Sequence, residues 1–376
     1  MGGVCEDRQD RTAIALPDSI PSDLVSIVIP TRNRARLLGQ ALRSARGQTW
    51  RDCEIIVVDE ASDDDTPAML SRDFPEVCAI RHAAPRGPAG ARNAGVAAAR
   101  GDWVFFWDDD DLMHPGHLTA LLQAQRAAPA NTLISGRVRS FIVAGGEVRL
   151  SPVVCAPAEQ PAMATLEEFI QPHRRGSLTL STILWPAALC RAVPWDDKLF
   201  INEDVDFFGR TLLAGYRIDG RPVGMMYIRQ HENERASTNP GAAGVLASAL
   251  YRLKWTELLA GHPEREMVAP AMRDGLMAVM IELSGRRDAR ELMARLDVAF
   301  RQWGGVGYYV TPPPRNPTKR WLAQAVLNLG GLAAVKALLT GSARLKGGGG
   351  ELGRFQSPVT DGDREDADIL CAATQR

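Results

Sequence analysis

No stretch of this chain offers the roughly 18 uninterrupted apolar residues that a membrane-spanning helix requires, so none is expected. Cysteine is scarce. Cys5, Cys53, Cys78, Cys155, Cys190 and Cys371 are scattered, with no C-x-x-C and no paired spacing. That pattern argues against a disulfide framework or a zinc site and for reduced thiols in a cytosolic protein. Neither sign of charge is in excess: 44 basic against 45 acidic residues leave a formal charge of −1. The whole chain therefore has no electrostatic case for nucleic acid or for an anionic membrane. The opening MGGVCEDRQDR has no apolar core of the kind a secretory signal needs. No internal repeat is visible.

What is present is an ordinary globular composition, 45% apolar and 24% charged over 376 residues, enough for a sizeable core. Residues 1–22 read as a flexible leader. From Leu24 the pattern alternates. LVSIVIP reads as a buried strand, and RARLLGQALRSARGQ as a helix, with Gly47 where a C-cap belongs. EIIVVD is a second strand, followed by a helix with Thr66-Pro67 as N-cap and first turn. VCAIRHA is a third strand, PAGARNAGVAAARG a helix and DWVFFWD a fourth strand. Such alternation predicts an α/β fold with a mostly parallel central sheet flanked by helices. Ligands in these sheets bind at the carboxyl ends of the strands. Residues 131–230 mix strand-like pieces with one helix near Glu203. Residues 241–340 read as a helical C-terminal region, and 341–376, with four glycines in a row at 347–350, as a flexible tail.

Chemistry-bearing residues fall where the strands end. FFWDDDDLMHP runs an apolar strand into Asp108, Asp109, Asp110 and Asp111. Asp108 and Asp110 have D-x-D spacing, and two such carboxylates can converge on one hard cation, Mg²⁺ or Mn²⁺, which in turn holds a diphosphate. Asp59 ends the second strand, followed by Glu60, and a carboxylate there can accept a nucleobase N–H. RGPAGARNAG brings Arg92 and Asn93 to a helix start, suited to a phosphate or sugar. Glu203 and Asp204 open an amphipathic helix, where a carboxylate can act as general base, and Asp206 and Arg210 are spaced for an ion pair. His231 is a candidate third metal or diphosphate ligand, with Arg229 and Arg235 beside it. The other histidines, including the weak H-x-x-H pair His114 and His117, read as structural. Taken singly, each motif is also what an acidic turn, a helix cap or a glycine-rich turn provides.

Their order and spacing together are more specific. SIVIPTRNR, EIIVVDEASDDDT, GARNAGVAAARGDWVFFWDDDDLMHP and NEDVDFFGRTLLAGY resemble glycosyltransferase family 2 over about residues 26–235, most closely at 86–115. The resemblance implies a GT-A fold and an inverting transfer of one sugar from a nucleotide-diphosphate sugar to an acceptor hydroxyl on a glycan, a lipid-linked glycan or a small molecule. By the same resemblance Pro30, Thr31 and Arg32 lie under the base and Asp59 and Glu60 meet it. Asp108 and Asp110 hold the metal and diphosphate, with Asp109 between them, and His231 lies near the diphosphate. Asp204 is the catalytic base, beside Glu203. Two departures stand out. Asp59-Glu60-Ala61-Ser62 replaces the usual Asp-Asp-Gly-Ser, and Ala61 does not take a positive φ comfortably. The Gln-x-x-Arg-Trp segment of processive synthases is missing, which points to single-sugar transfer.

Trp185, Trp195 and Phe200 precede Asp204 on the side expected for the acceptor. Aromatics there either stack on a sugar or fill a core. The stretch from Lys319 to Lys346 is apolar and punctuated by basic residues. It either lies on the inner face of a membrane or packs on the catalytic domain or at a homodimer interface. Two other classes compete: a sugar-phosphate nucleotidyltransferase, which wants a glycine- and lysine-containing loop where PTRNRARLL stands, and a non-catalytic nucleotide- or sugar-binding module.

Overall fold

The computed structural model describes residues 23–155, 179–230, 241–263, 265–307, 332, 336 and 361–374. Four apolar segments build the central sheet: β1 (Val25–Thr31), β2 (Cys53–Asp59), β3 (Cys78–Arg81) and β4 (Trp103–Phe106). They run parallel in the order β3-β2-β1-β4, and a short antiparallel strand, β9 (Trp185–Pro186), closes the β4 edge. The connecting helices are α1 (Ala35–Arg46), α2 (Thr66–Asp73) and α3 (Gly87–Ala98). The expected α/β alternation is what forms. Thr66 sits one residue inside its helix, and its N–H is taken by Asp64 Oδ1 at 2.9 Å. Gly47 ends α1 with right-handed dihedrals, so that end does not need glycine's freedom.

Side-chain alternation along the strands explains why the sheet is covered on both faces. Val28, Ile56, Val58, Val104 and Phe106 enter one apolar cluster, while Val25, Ile27, Ile29, Val57, Phe105 and Trp107 enter the other. Helix α3 lies so close to β1 that a Cβ on Gly95 would stand 2.2 Å from Val28 Cγ1. Only glycine allows that approach.

A second sheet carries the rest of the site. Its strands are β5 (Leu112–Met113), β7 (Val138–Ala144), β8 (Glu147–Cys155) and β11 (Met226–Arg229), in the order β5-β11-β7-β8. A parallel pair, β6 (Thr132–Ser135) with β10 (Arg217–Gly220), lies apart. Helix α4 (His117–Arg126) follows β5, the short α5 (Ala187–Ala192) follows β9, and α6 (Glu203–Leu213) follows next. The helical region contributes α7 (Gly241–Leu258), α8 (Arg265–Leu283) and α9 (Arg290–Gln302). Tyr251, Trp255, Met272, Leu276 and Phe300 from these helices share one continuous cluster with Phe106 and Phe207 of the sheet-bearing part. The helices are thus fused to the sheet through a common core.

The chain's last described segment differs from expectation. Residues 361–374, read from sequence as part of a flexible tail, form a helix, α10 (Asp361–Thr374). Its apolar face, Ala367 and Leu370, packs on Leu112, Phe141, Leu150 and Tyr227 of the second sheet. The glycine run at 347–350 dominated the composition of that window and hid a 14-residue amphipathic stretch beyond it. The proposed membrane segment, Lys319 to Lys346, lies outside the described residues except at two points. Leu332 is buried in the main cluster, and Lys336 Nζ donates to the Glu282 carbonyl. Among the described residues no helix is long and apolar enough to cross a membrane.

His117 heads α4 fully buried, edge-on to Phe105 with ring centroids 5.5 Å apart and Nε2 3.3 Å from the Ser181 carbonyl. Burial pushes its pKa down to about 3. The unfolded imidazole takes a proton near pH 6.5 while the native one refuses it. This contribution to stability is therefore complete above about pH 6.5 and is lost as pH falls toward 3. Between pH 7 and pH 5 the urea-unfolding free energy of the wild type should drop by about 2 kcal/mol more than that of His117→Gln.

Candidate active site

The parallel strands β1, β2 and β4 end along one edge of the sheet, and the loops beyond them form the floor of a cleft. Thr31 and Asp59 are register partners at that edge, and Trp107 N–H continues the ladder to the Val28 carbonyl at 3.0 Å. The four carboxylates that follow then separate by role. Asp109 turns inward and is buried. It accepts from Thr31 Oγ1 at 2.6 Å and from Arg34 Nη1 at 2.8 Å. Burial raises its pKa to about 6 against the pull of Arg34 and Thr31. Asp111 is also buried and accepts the backbone N–H of Arg229 at 2.9 Å. Asp110 receives Arg34 Nη1 at 2.9 Å. Asp108 stands at the cleft surface with its side chain 58% exposed. The protein around it raises its pKa. Arg92 opposes that rise, and Asp110 and Asp204 add to it. Alternation along the loop thus presents the two D-x-D members and withdraws Asp109, which anchors Thr31 and Arg34.

At the end of β2, Asp59 is buried and accepts from Ser62 N–H at 2.9 Å and Arg81 Nη1 at 2.9 Å. The longer Glu60 reaches under the next loop. One oxygen meets His82 Nδ1 at 2.5 Å, and the other takes the N–H groups of Arg86 (2.5 Å) and Gly87 (2.7 Å). Both oxygens of Glu60 thus engage that loop and organise it. Ala61 between them holds φ +56° and donates its N–H to the Asp59 carbonyl at 2.9 Å. The uncomfortable conformation anticipated for an alanine here is the one it adopts. Pro30 is half-buried, and Arg32 is exposed at the rim.

The opposite wall is the N-terminus of α6. Asn202 takes a left-handed φ of +62°, which asparagine tolerates, and so aims the first helical turn at the cleft. Glu203, Asp204 and Asp206 occupy that turn, favoured by the helix dipole. Asp204 is half-buried and caps its own turn by accepting Val205 N–H at 2.8 Å. Glu203 accepts from Arg92 Nη1 at 3.1 Å. Burial raises its pKa, with Arg92 pulling it down and Asp204 pushing it up. The second amino group of Arg92 lies 3.4 Å from Asp108, and its guanidinium rests 4.6 Å over the Trp195 ring. Arg92 thereby joins the D-x-D loop to the Glu203–Asp204 pair.

Asn93, expected to touch donor, instead clamps Trp195. Its Nδ2 donates to the Trp195 carbonyl and its Oδ1 accepts the Trp195 N–H, each at 2.9 Å. Its amide faces the core because α3 places residue 93 a step around the helix from Arg92. Trp185 and Trp195 are core residues. Trp195 stacks on Phe207 at 4.3 Å and 7°, and Trp185 meets Phe207 and Phe208 edge-on. Phe200 alone of the three stays exposed, at 66%. The helical region supports this wall. Ser248 Oγ is 3.2 Å from Asn202 Nδ2, and Lys254 Nζ lies 2.7 Å from both Asp196 and Asp206. Asp206 also receives Arg210 Nε at 2.7 Å, the expected i,i+4 pair.

Arg34 closes the SIVIPTRNR motif but was given no role from sequence, and Gln40, inside the first helix, carried no signal. His231 and Arg235 lie outside the described residues. Among the described residues no group of three or more His, Cys, Asp or Glu side chains is arranged to hold a metal alone. His114 and His117 make no such pair, because His114 Nδ1 accepts the Gly116 N–H at 3.1 Å while His117 is buried. A hard divalent cation nevertheless fits Asp108 and Asp110. Mg²⁺ and Mn²⁺ ordinarily take one or two carboxylates and complete their shell with substrate phosphate and water.

This arrangement of acids at the carboxyl edge of a mostly parallel sheet lies in an α/β fold similar to that of GT-A structures. Residues 26–183 match the family model described as Glycosyl transferase family 2. The crystal structure of S. aureus TarS 1-349 in complex with UDP-GlcNAc superposes with a TM-score of 0.53 over 85% of this chain and 91% of that one, at 16% identity, which establishes the likeness of fold. Among curated relatives, the succinoglycan biosynthesis protein ExoO of Rhizobium meliloti is 37% identical over 118 residues, 31% of this chain and 33% of that protein. The pre-mycofactocin glycosyltransferase of Mycobacterium tuberculosis is 28% identical over 310 residues, 73% of this chain and 60% of that one. The chain thus spans from a third to three-fifths of the length of these relatives.

The strain at Ala61 is measurable. A left-handed conformation costs an L-residue about 1–2 kcal/mol, more than glycine's extra entropy in the unfolded chain. Ala61→Gly should therefore raise unfolding free energy by about 1 kcal/mol in a urea titration, the reverse of the usual sign for that substitution.

Proposed function

We propose that this protein transfers a single sugar from a nucleotide-diphosphate sugar to an acceptor hydroxyl, with inversion at the anomeric carbon. The observation that carries the reading is the Arg92 bridge, which holds Asp108 and the Glu203–Asp204 pair on opposite sides of one cleft. Asp108 and Asp110 would hold Mg²⁺ or Mn²⁺, and such an ion, when bound, offsets the charge that develops on the leaving diphosphate. Pro30, Thr31, Arg32 and Asp59 line the side that takes the nucleotide. Asp204 removes the proton from the acceptor hydroxyl as that oxygen attacks the face opposite the diphosphate. Glu203 keeps Arg92 in place, and Arg92 fixes the distance between base and donor. Phe200, exposed three residues before Glu203, stands on the side where the acceptor enters.

Calorimetry with UDP, GDP, dTDP and CMP, with and without Mn²⁺, tests the donor half. One diphosphate should bind in a metal-dependent way to the wild type, and Asp110→Ala should lose that dependence. Folded wild-type protein that binds none of them would overturn the reading. For the catalytic half, Asp204→Asn should keep nucleotide affinity within a factor of about two while turnover falls roughly 10²- to 10⁴-fold. Turnover that survives in Asp204→Asn would remove Asp204 from the role of base.

A further inference from the structure

The helix Asp361–Thr374 does more than cover the second sheet. It is anchored by charge: Arg139, buried on β7, donates Nη2 to Asp363 at 2.5 Å and Nη1 to Asp366 at 2.9 Å. The Tyr227 hydroxyl donates to the other oxygen of Asp366. At the far end of the helix, Gln40 Nε2 donates to the Thr374 carbonyl at 2.8 Å. Each of these contacts leads toward the acidic loop. Gln40 is buried on α1, and its Oε1 accepts Arg229 Nη2 at 2.9 Å. Arg229 Nε donates to the Asp110 carbonyl at 2.9 Å, and its backbone N–H donates to Asp111 Oδ1 at 2.9 Å. The Arg229 guanidinium lies 4.7 Å over Phe141, which shares an apolar cluster with Ala367 and Leu370 of the helix. Tyr227 pairs with Leu112 in the strand that leaves the acidic loop. An unbroken set of contacts therefore runs from the helix through Gln40, Arg229 and β11 to the backbone of Asp110 and the side chain of Asp111.

We infer that Gln40 and Arg229 are positioning residues for the Asp108–Asp111 loop, and that docking of the 361–374 helix holds them in register, so that a segment distant in sequence sets how tightly the loop holds metal and nucleotide diphosphate. The inference rests on the proposed function in taking this loop as the donor-holding element. The physical reason is geometric. Arg229 contacts the loop at the Asp110 carbonyl and at Asp111, and its charge also acts on the Asp110 carboxylate. Gln40 and Phe141 fix the Arg229 guanidinium on that side of the loop. Coupling carried through packed and hydrogen-bonded residues of this kind amounts to roughly 3- to 30-fold in affinity.

The test uses full-length protein and two readouts. The first is hydrogen exchange of peptides covering 108–113 and 361–374, which needs no ligand. The second is calorimetry with Mn²⁺ and UDP or GDP, whichever the wild type binds. Gln40→Leu removes both of its contacts and should speed exchange at 108–113 and weaken Mn²⁺–nucleotide binding roughly 3- to 30-fold. Gln40→Glu keeps an acceptor for Arg229 and should restore protection and affinity at 108–113 while the helix end, without its donor, stays loosened. Arg139→Met, or the milder Tyr227→Phe if the first does not fold, loosens the helix without touching the acidic loop. Either should accelerate exchange at both segments together. In Arg139→Met or Tyr227→Phe, faster exchange at 361–374 with 108–113 unchanged, or a Gln40→Glu protein no better than Gln40→Leu, would overturn the inference. Should the wild type bind no nucleotide, the proposed function fails, and the exchange measurements still decide whether helix and loop are coupled.

Discussion

The buried guanidinium of Arg92 is the constraint around which the cleft is organised. Its side chain is 7% exposed, and a cation that deep is tolerable only with carboxylates and a polarisable surface beside it. Glu203 supplies the first carboxylate and Asp108 the second, while the Trp195 face supplies the surface. Three segments, the middle of α3, the loop after β4 and the start of α6, must therefore meet at one point. Trp195 is itself fixed from both sides, by the Asn93 amide clamp and by its stack on Phe207. Position in the site thus follows from packing in the core, and Trp195 bears on the site through its contact with Arg92.

Charge balance explains how a run of four carboxylates exists at the end of a buried strand. Adjacent acids repel, and burial of each unpaired one is costly. The structure distributes them. Asp109 goes to Arg34 and Thr31, Asp110 shares Arg34, Asp111 takes the Arg229 amide, and Asp108 keeps Arg92 while facing solvent. The two acids nearest the cleft surface are two residues apart, the spacing that suits a shared hard cation. The arginines that neutralise the others approach from the sides and from behind.

The helical region and the last helix act as supports for these loops. Ser248 and Lys254 hold Asn202, Asp196 and Asp206 at the root of the Glu203–Asp204 turn. The 361–374 helix sits behind the acidic loop through Arg139, Tyr227 and Gln40. Each half of the cleft is thus backed by chain well C-terminal to the segment that matches the family model.

What the sequence by itself determined is whatever depends on local pattern. The four parallel strands, their helices, the D-x-D loop at a strand end and the acidic turn of α6 were legible because hydrophobic periodicity and motif spacing are properties of neighbouring residues. The discomfort of Ala61 was legible for the same reason, since φ preference belongs to the residue. Tertiary structure decided which polar groups are already engaged. Glu60 and Asn93 carry the right chemistry for a ligand, yet their oxygens and amide are taken by Arg86, Gly87 and Trp195, partners set by how two loops pack. Arg34, though inside the SIVIPTRNR motif, and Gln40 owe their roles to the passage of α1 beside the acidic loop. The docked helix at 361–374 was hidden because its anchors, Arg139 and Tyr227, lie more than a hundred residues away in the chain, and a contact of that separation leaves no trace in local composition.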